Sequence, residues 1–175
     1  MRNELLSNIR CVQDYPKEGV LFRDITTLLH EGKVFRDLIN YLKERYENEQ
    51  IDFVVGLESR GFMLSAPLAY ALGAGFVPIR KKGKLPYAKV SKTYTLEYGE
   101  DAIEIHLDAF KKKEGARVVL VDDLIATGGT AWAGVELIEE IGGKCIEACF
   151  LLDLVDFGGS SKLKTKTKVH SILEL

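Results

Sequence analysis

VVLVDDLIATGGT, residues 118–130, decides how the chain reads. Val118, Val119, Leu120 and Val121 form an unbroken apolar run, which reads as a strand buried on both faces because no position in it is left for solvent. Asp122 and Asp123 follow directly. After Leu124 and Ile125 the chain passes through Ala126, Thr127, Gly128, Gly129 and Thr130 into a helical pattern that reaches about residue 141. Glycines let the backbone curl until successive N–H groups converge, a helix start adds the positive end of its dipole, and the two threonines add hydroxyl donors. These are the parts of a cradle for a monophosphate. On the residues alone a plainer reading stays open, in which the glycines turn the chain and the aspartates cap a helix. The run is not the GxxxxGKS/T loop of nucleoside triphosphatases, since no lysine follows the glycines, nor is it a GxGxxG dinucleotide fingerprint.

The segments on either side set the fold class. Val34, Phe35, Leu38, Ile39, Leu42 and Tyr46 recur at helical spacing and predict a helix over 34–49. Phe53, Val54 and Val55 then make a short apolar run ending at Gly56, a turn LESRG follows, residues 62–72 look helical, and Gly75 to Ile79 is a second short run. Strand, turn, helix and strand at these spacings make a βαβ unit with parallel strands. In TYTLEYG, Tyr94, Leu96 and Tyr98 alternate with Thr93, Thr95 and Glu97, and further on Ile103, Ile105 and Leu107 alternate with Glu104, His106 and Asp108. Alternation with period two predicts a ribbon or flap and another strand. Residues 145–154 and 169–173 complete the set. The expected architecture is a single α/β domain with a mostly parallel central sheet of about five strands flanked by helices, its ligands bound beyond the carboxyl ends of the strands. Residues 1–33, broken by glycine and proline in YPKEGVLFRDITTLL, read as a cover and not as core; SSKLKTKTK near the end reads as a solvated loop.

Bulk composition narrows the function. At 175 residues and 46% hydrophobic the chain suits one domain with a real core. A net charge of −2 creates no field that would draw the molecule to nucleic acid or to anionic lipid, so anion binding has to be local. No apolar run approaches the roughly 18 residues of a membrane span, and the start of the chain carries charges where a signal peptide needs an apolar core. A soluble, cytoplasmic protein is expected, with no membrane partner. Cys11, Cys145 and Cys149 cannot all pair internally and read as free thiols, the last two in an apolar strand. His30, His106 and His170 are isolated and match no zinc spacing.

Two more turns place cations at strand ends. Glu58, Ser59, Arg60 and Gly61 follow the strand ending at Gly56, and Arg80, Lys81, Lys82, Gly83 and Lys84 follow the strand ending at Ile79. Either turn alone fits an ordinary solvated surface. Beside a phosphate cradle, both point to a polyanionic ligand.

VVLVDDLIATGGT resembles, over all its positions, the phosphoribosyl pyrophosphate (PRPP) motif of type I phosphoribosyltransferases. YPKEGVLFRDIT, LESRGF, RKKGKLP and LEYG extend the resemblance to the adenine phosphoribosyltransferases of that family over nearly the whole chain, weakening in the last 20 or so residues. The resemblance implies the type I fold, with residues 1–33 as a hood and residues 84–99 as a flexible flap. It implies that Asp122 and Asp123 hold the ribose hydroxyls and that Ala126, Thr127, Gly128, Gly129 and Thr130 bind the 5'-phosphate. It assigns Glu58, Ser59, Arg60, Arg80 and Lys84 to the pyrophosphate, with a non-proline cis peptide at Glu58–Ser59 and with Arg80 reaching the site of a neighbouring subunit in a homodimer. Phe22 would stack on adenine while the backbones of Leu21 and Arg23 meet the amino-bearing edge of the base. Glu97 would handle the purine's proton, Tyr98 would help close the flap, and Mg2+ would be held mainly by substrate oxygens, without a dedicated protein site. On spacing alone Phe22 also fits a core aromatic, and Glu97 an exposed charge on a hairpin. Ala126 adds a contrast, since 6-oxopurine enzymes usually carry an acid at that place. The implied reaction is adenine plus PRPP giving AMP and pyrophosphate. Another purine base, or a PRPP-sensing regulator without catalysis, would fit the same PRPP motif; a regulator should add a nucleic-acid-binding module or a basic face, and neither is evident.

Overall fold

The computed structural model describes residues 1–96, 99–111 and 113–175. Among the described residues nine strands and six α-helices follow one another as α1 (Arg2–Ser7), β1 (Arg10–Gln13), β2 (Leu21–Asp24), α2 (Thr26–His30), α3 (Gly32–Tyr46), β3 (Phe53–Leu57), α4 (Arg60–Leu72), β4 (Gly75–Lys81), β5 (Lys89–Leu96), β6 (Gly99–His106), β7 (Ala116–Ile125), α5 (Gly129–Glu140), β8 (Gly143–Asp153), α6 (Gly159–Leu163) and β9 (Lys168–Glu174). β1 and β2 make a small antiparallel ribbon, and the other seven strands form one sheet in the order β5-β6-β4-β3-β7-β8-β9. Within it β4, β3, β7, β8 and β9 are mutually parallel, while the β5–β6 hairpin joins antiparallel at the β4 edge. The expected five-strand parallel core is present, and the two further strands are those of the hairpin.

The sheet is covered on both faces, which explains the unbroken apolar runs of its central strands. Along β7, Val119 and Val121 enter a core shared with α1 to α4, and Val118 and Leu120 enter a second core shared with α5 and the hairpin. All four are at most 1% exposed. Two expectations need revision. The N-terminal segment is more than a cover, because Leu5, Ile9, Ile25 and Leu28 are buried in the first core; its short elements carry too few residues for a period to show in sequence. The lysine-rich stretch near the end is not all loop either, since it begins with α6, whose Leu163 and Ser160 are buried. Its lysines cover Trp132, with the ammonium groups of Lys162 and Lys166 5.7 and 5.2 Å from the ring centroid. Cys149 is buried and Cys145 half-buried; burial pushes their thiols up to about 12 and about 11. No helix among the described residues is long and apolar enough to cross a membrane.

The amino end of the sheet is tied by a charged cluster. Arg45, near the end of α3, donates from Nε and Nη2 to the two carboxylate oxygens of Glu147 at 2.7 and 2.8 Å, and the Tyr46 hydroxyl donates to the same carboxylate at 2.7 Å. Burial opposes ionisation of Glu147, but these donors outweigh it and hold the carboxyl below its ordinary value. A carboxyl depressed in the fold gives stability that is complete above its unfolded-chain pKa and is lost as the pH falls through the folded one. Glu147→Gln should cost about 2 to 3 kcal/mol at neutral pH, somewhat below the loss for a fully buried pair because Arg45 is a third exposed. Urea unfolding at pH 7 and at pH 4 checks this: the gap between parent and variant should narrow at the lower pH.

Candidate active site

Because β4, β3 and β7 are parallel neighbours, their carboxyl ends bring three turns side by side. Each turn is shaped by one local constraint. After β3 the Glu58–Ser59 peptide is cis, and α4 begins at once with Arg60. Gly61 has no side chain to hold α4 away from β7; a Cβ there would lie 2.8 Å from the Val121 carbonyl oxygen and 2.9 Å from Asp122 Oδ1. This close approach sets Arg60 against the acidic pair, with Nε 2.9 Å from Asp123 Oδ2. After β4, Arg80 Nη2 donates to Glu58 Oε1 at 3.2 Å and the Lys81 N–H donates to Glu58 Oε2 at 2.7 Å, so one carboxylate joins the two cationic turns. Burial works against the charge on Glu58, but the Lys81 N–H and the Arg80 guanidinium prevail and keep the carboxyl below its ordinary value. Arg80 Nη1 also donates to the Lys84 carbonyl oxygen at 3.3 Å.

After β7 the chain enters α5 through Gly128, whose φ of 77° is left-handed and whose carbonyl accepts the first helical bond, from the Trp132 N–H at 2.9 Å. The loop encloses a cavity of about 210 Å3 lined by Asp122 and by the backbone from Leu124 to Ala131. The loop packs on Gly159, the glycine that opens α6. The Gly159 N–H donates to the Ala126 carbonyl at 3.0 Å, and a Cβ on Gly159 would collide with that same oxygen and come 2.6 Å from the Gly128 nitrogen. Sequence reading did not single out Gly159, which lies 31 residues beyond Gly128 with no motif around it; only the fold joins them.

A second cavity, of about 260 Å3, adjoins the first and shares Asp122, Leu124 and Thr130 with it. Glu58, Ser59, Arg60 and Asp123 line its other side. Burial and the neighbouring carboxylate push Asp122 well above the usual carboxyl range, and burial also raises Asp123, against the pull of the Arg60 guanidinium. Asp123 Oδ2 is buried and, despite the Arg60 contact, receives no well-aligned hydrogen bond among the described residues. An oxygen in that state suits a hydroxyl donor better than a phosphate.

Phe22 lies on β2 with its ring 5.2 Å from the Arg60 guanidinium and edge-on to Tyr15 at 5.1 Å. Arg60 therefore joins the aromatic ring to the acidic pair. Leu21 and Arg23 flank Phe22 opposite Gln13 and Cys11 in the β1–β2 ladder, and Arg23 Nη1 lies 3.1 Å from Cys11 Sγ. Glu97 and Tyr98 lie outside the described residues. Four residues of the second cavity were not anticipated as site residues, namely Lys81, Tyr94, Asp101 and Leu124. For Tyr94 the strand alternation at TYTL was the available signal.

Known proteins match both sequence and geometry. The profile of the phosphoribosyl transferase domain family matches residues 24–173. An adenine phosphoribosyltransferase of Campylobacter concisus is 57% identical over 171 residues, covering 98% of this chain and 94% of the relative. That of Helicobacter pylori is 57% identical over 174 residues, covering 99% and 97%. Among solved structures, the adenine phosphoribosyltransferase of Thermoanaerobacter pseudethanolicus superposes with a TM-score of 0.94 at 44% identity, covering all of both chains. The Saccharomyces cerevisiae enzyme, solved with an imino-altritol bisphosphate and adenine, gives 0.91 at 40% identity over 98% of each chain. With the turns of β3, β4 and β7 arranged as they are, and with relatives this similar over their full length, the chain belongs to the phosphoribosyltransferase family, among the adenine phosphoribosyltransferases.

Proposed function

We propose that the chain transfers the phosphoribosyl group of PRPP to adenine, giving AMP and pyrophosphate. The observation that carries this reading is the pair of adjoining cavities, one walled by a glycine-rich loop at a helix start and the other by the adjacent carboxylates of Asp122 and Asp123 facing Arg60. The loop from Ala126 to Thr130 suits a 5'-phosphate through its N–H groups, the dipole of α5 and two hydroxyls. Asp122 and Asp123 accept ribose hydroxyls, the orphaned Asp123 Oδ2 among them. Glu58, Ser59, Arg60, Arg80 and Lys84 serve the pyrophosphate end.

In the reaction the bond from ribose C1' to a pyrophosphate oxygen breaks, a bond from C1' to a purine nitrogen forms, and that nitrogen loses its proton. Positive charge grows on the ribose meanwhile, next to the acidic pair, which stabilises it. Arg60 receives the leaving pyrophosphate and at the same time bounds the place of the base through Phe22. Glu97 takes the purine's proton, and residues 84–99, with Tyr98, close over the site as a flap that excludes water, the competing nucleophile. Residues 1–33 form the hood that carries Leu21, Phe22 and Arg23 to the base, where buried backbone groups favour adenine over a 6-oxo purine by about 1 to 3 kcal/mol for each group left unpaired.

Mg2+ fits the donors on hand. The described residues hold no cluster of three or more acidic, histidine or cysteine ligands, while Asp122 and Asp123 border the cavity, and Mg2+ characteristically keeps substrate and water oxygens with one or two carboxylates. When bound it would offset the charge of the pyrophosphate. The assembly we propose is a homodimer in which Arg80 reaches the partner's pyrophosphate site. It is supported by the exposed apolar side chains Met63 and Tyr70 on α4 and Phe76 on β4, which are 43%, 89% and 39% exposed. The same reading places the enzyme in the cytoplasm, without nucleic-acid or membrane partners.

Steady-state assays with PRPP and each of adenine, hypoxanthine, guanine and xanthine test the reading. Turnover is expected with adenine and far less with the oxo purines; no turnover with any base would overturn it. Glu97→Ala should lower kcat by about 100-fold or more with little change in PRPP affinity, and an unchanged rate would remove Glu97 from the mechanism. Gly159→Ala touches no substrate, yet by displacing the phosphate loop it should lower kcat/KM for PRPP about 10- to 100-fold, a loss readable in the same assay.

A further inference from the structure

The second cavity holds more negative charge than a pyrophosphate site needs. Among the described residues lining it the cations are Arg60 and Lys81, against the carboxylates of Glu58, Asp101, Asp122 and Asp123. Three of those carboxylates have evident tasks. Glu58 ties the two cationic turns together, and Asp122 and Asp123 face the place of the ribose. Asp101 has none of these tasks.

Asp101 is held with care nonetheless. It stands directly opposite Tyr94 in the β5–β6 register. Its Oδ1 accepts the Ala102 N–H at 2.8 Å, which fixes the carboxylate plane. Its Oδ2 is shared by the Tyr94 hydroxyl at 3.3 Å and the Lys81 ammonium at 3.0 Å. Tyr94 lines the cavity together with Thr130, the last residue of the phosphate loop. A polar link therefore runs from the turn after β4 to the hairpin, at the wall opposite the start of α5. The ion pair keeps both partners charged, with Asp101 below its ordinary value and Lys81 above, each chiefly through the other.

We propose that Asp101 is a positioning residue that restrains Lys81 from the pyrophosphate end of the pocket and thereby limits how tightly the released pyrophosphate is retained. This rests on the function proposed above. A polyanion entering the cavity gains Lys81 only by displacing it from Asp101, and it feels the repulsion of that carboxylate as well. Both effects weaken binding of substrate and product alike. Weaker retention favours turnover wherever product release limits the rate.

Titration calorimetry of magnesium pyrophosphate, with kcat and KM for PRPP, should be measured on the parent, Asp101→Asn, Asp101→Glu, Lys81→Met and the Asp101→Asn, Lys81→Met double variant. Asp101→Asn should bind pyrophosphate about five- to ten-fold tighter and lower KM for PRPP, with kcat reduced, because one half-exposed charge pair is released. Asp101→Glu should stay near the parent. In the Lys81→Met background the same Asn change should tighten binding markedly less. Unchanged or weaker pyrophosphate binding in Asp101→Asn overturns the proposal while leaving the reaction intact. A parent that binds neither pyrophosphate nor PRPP overturns the reading of the cavity and this proposal with it.

Discussion

Two adjacent carboxylates at the end of a central strand, Asp123 buried and Asp122 half-buried, are the constraint around which the molecule is arranged. Burial raises the proton affinity of both carboxyls, and the neighbouring Asp123 charge raises that of Asp122 further. Three features oppose that rise. The Asp123 N–H donates back to Asp122 Oδ1 at 2.9 Å, Arg60 stands 2.9 Å from Asp123, and the helix start just beyond lends its positive end. Each needs a particular backbone. Arg60 reaches the pair because Gly61 allows α4 to press on β7, and the helix start lies within a few residues because Gly128 turns the chain sharply. The cores on both faces of β7 hold the strand so that these distances persist.

The same constraint explains what the sequence made legible. Asp122, Asp123 and the loop from Ala126 to Thr130 are contiguous, so their spatial relation is dictated by local chemistry and can be read from order alone. The parallel core was legible for a similar reason, since burial on both faces writes itself as runs such as VVLV. The two cationic turns could be placed at strand ends from the sequence, but only the sheet order β4-β3-β7 brings both against the acidic pair.

What stayed hidden depends on contacts between distant segments. Gly159 matters through its backbone, which packs on Ala126 and Gly128, and a glycine far from any motif gives no sign of such a neighbour. Leu5, Ile9, Ile25 and Leu28 belong to short elements whose apolar residues are too few to show a period, although they bury as fully as the long helices do. Lys81 stands in the cationic turn RKKGKLP without being singled out there, Asp101 stands in no motif, and the two meet only once the hairpin pairs with the edge of β4.

The β5–β6 hairpin then has two faces with separate duties. On one, Glu104 is almost wholly buried and accepts the Gly83 N–H at 3.0 Å, the Ser91 hydroxyl at 3.2 Å and the Lys89 ammonium at 3.3 Å, which anchors the turn that carries Lys84 to the hairpin. Burial disfavours its charge, yet these donors keep the carboxyl below its ordinary value. On the other face Val90, Tyr94, Ile103 and Ile105 pack toward α5, and Lys92 pairs with Glu140 at 3.2 Å. Period-two alternation makes the division possible, since adjacent residues 103 and 104 necessarily serve opposite faces.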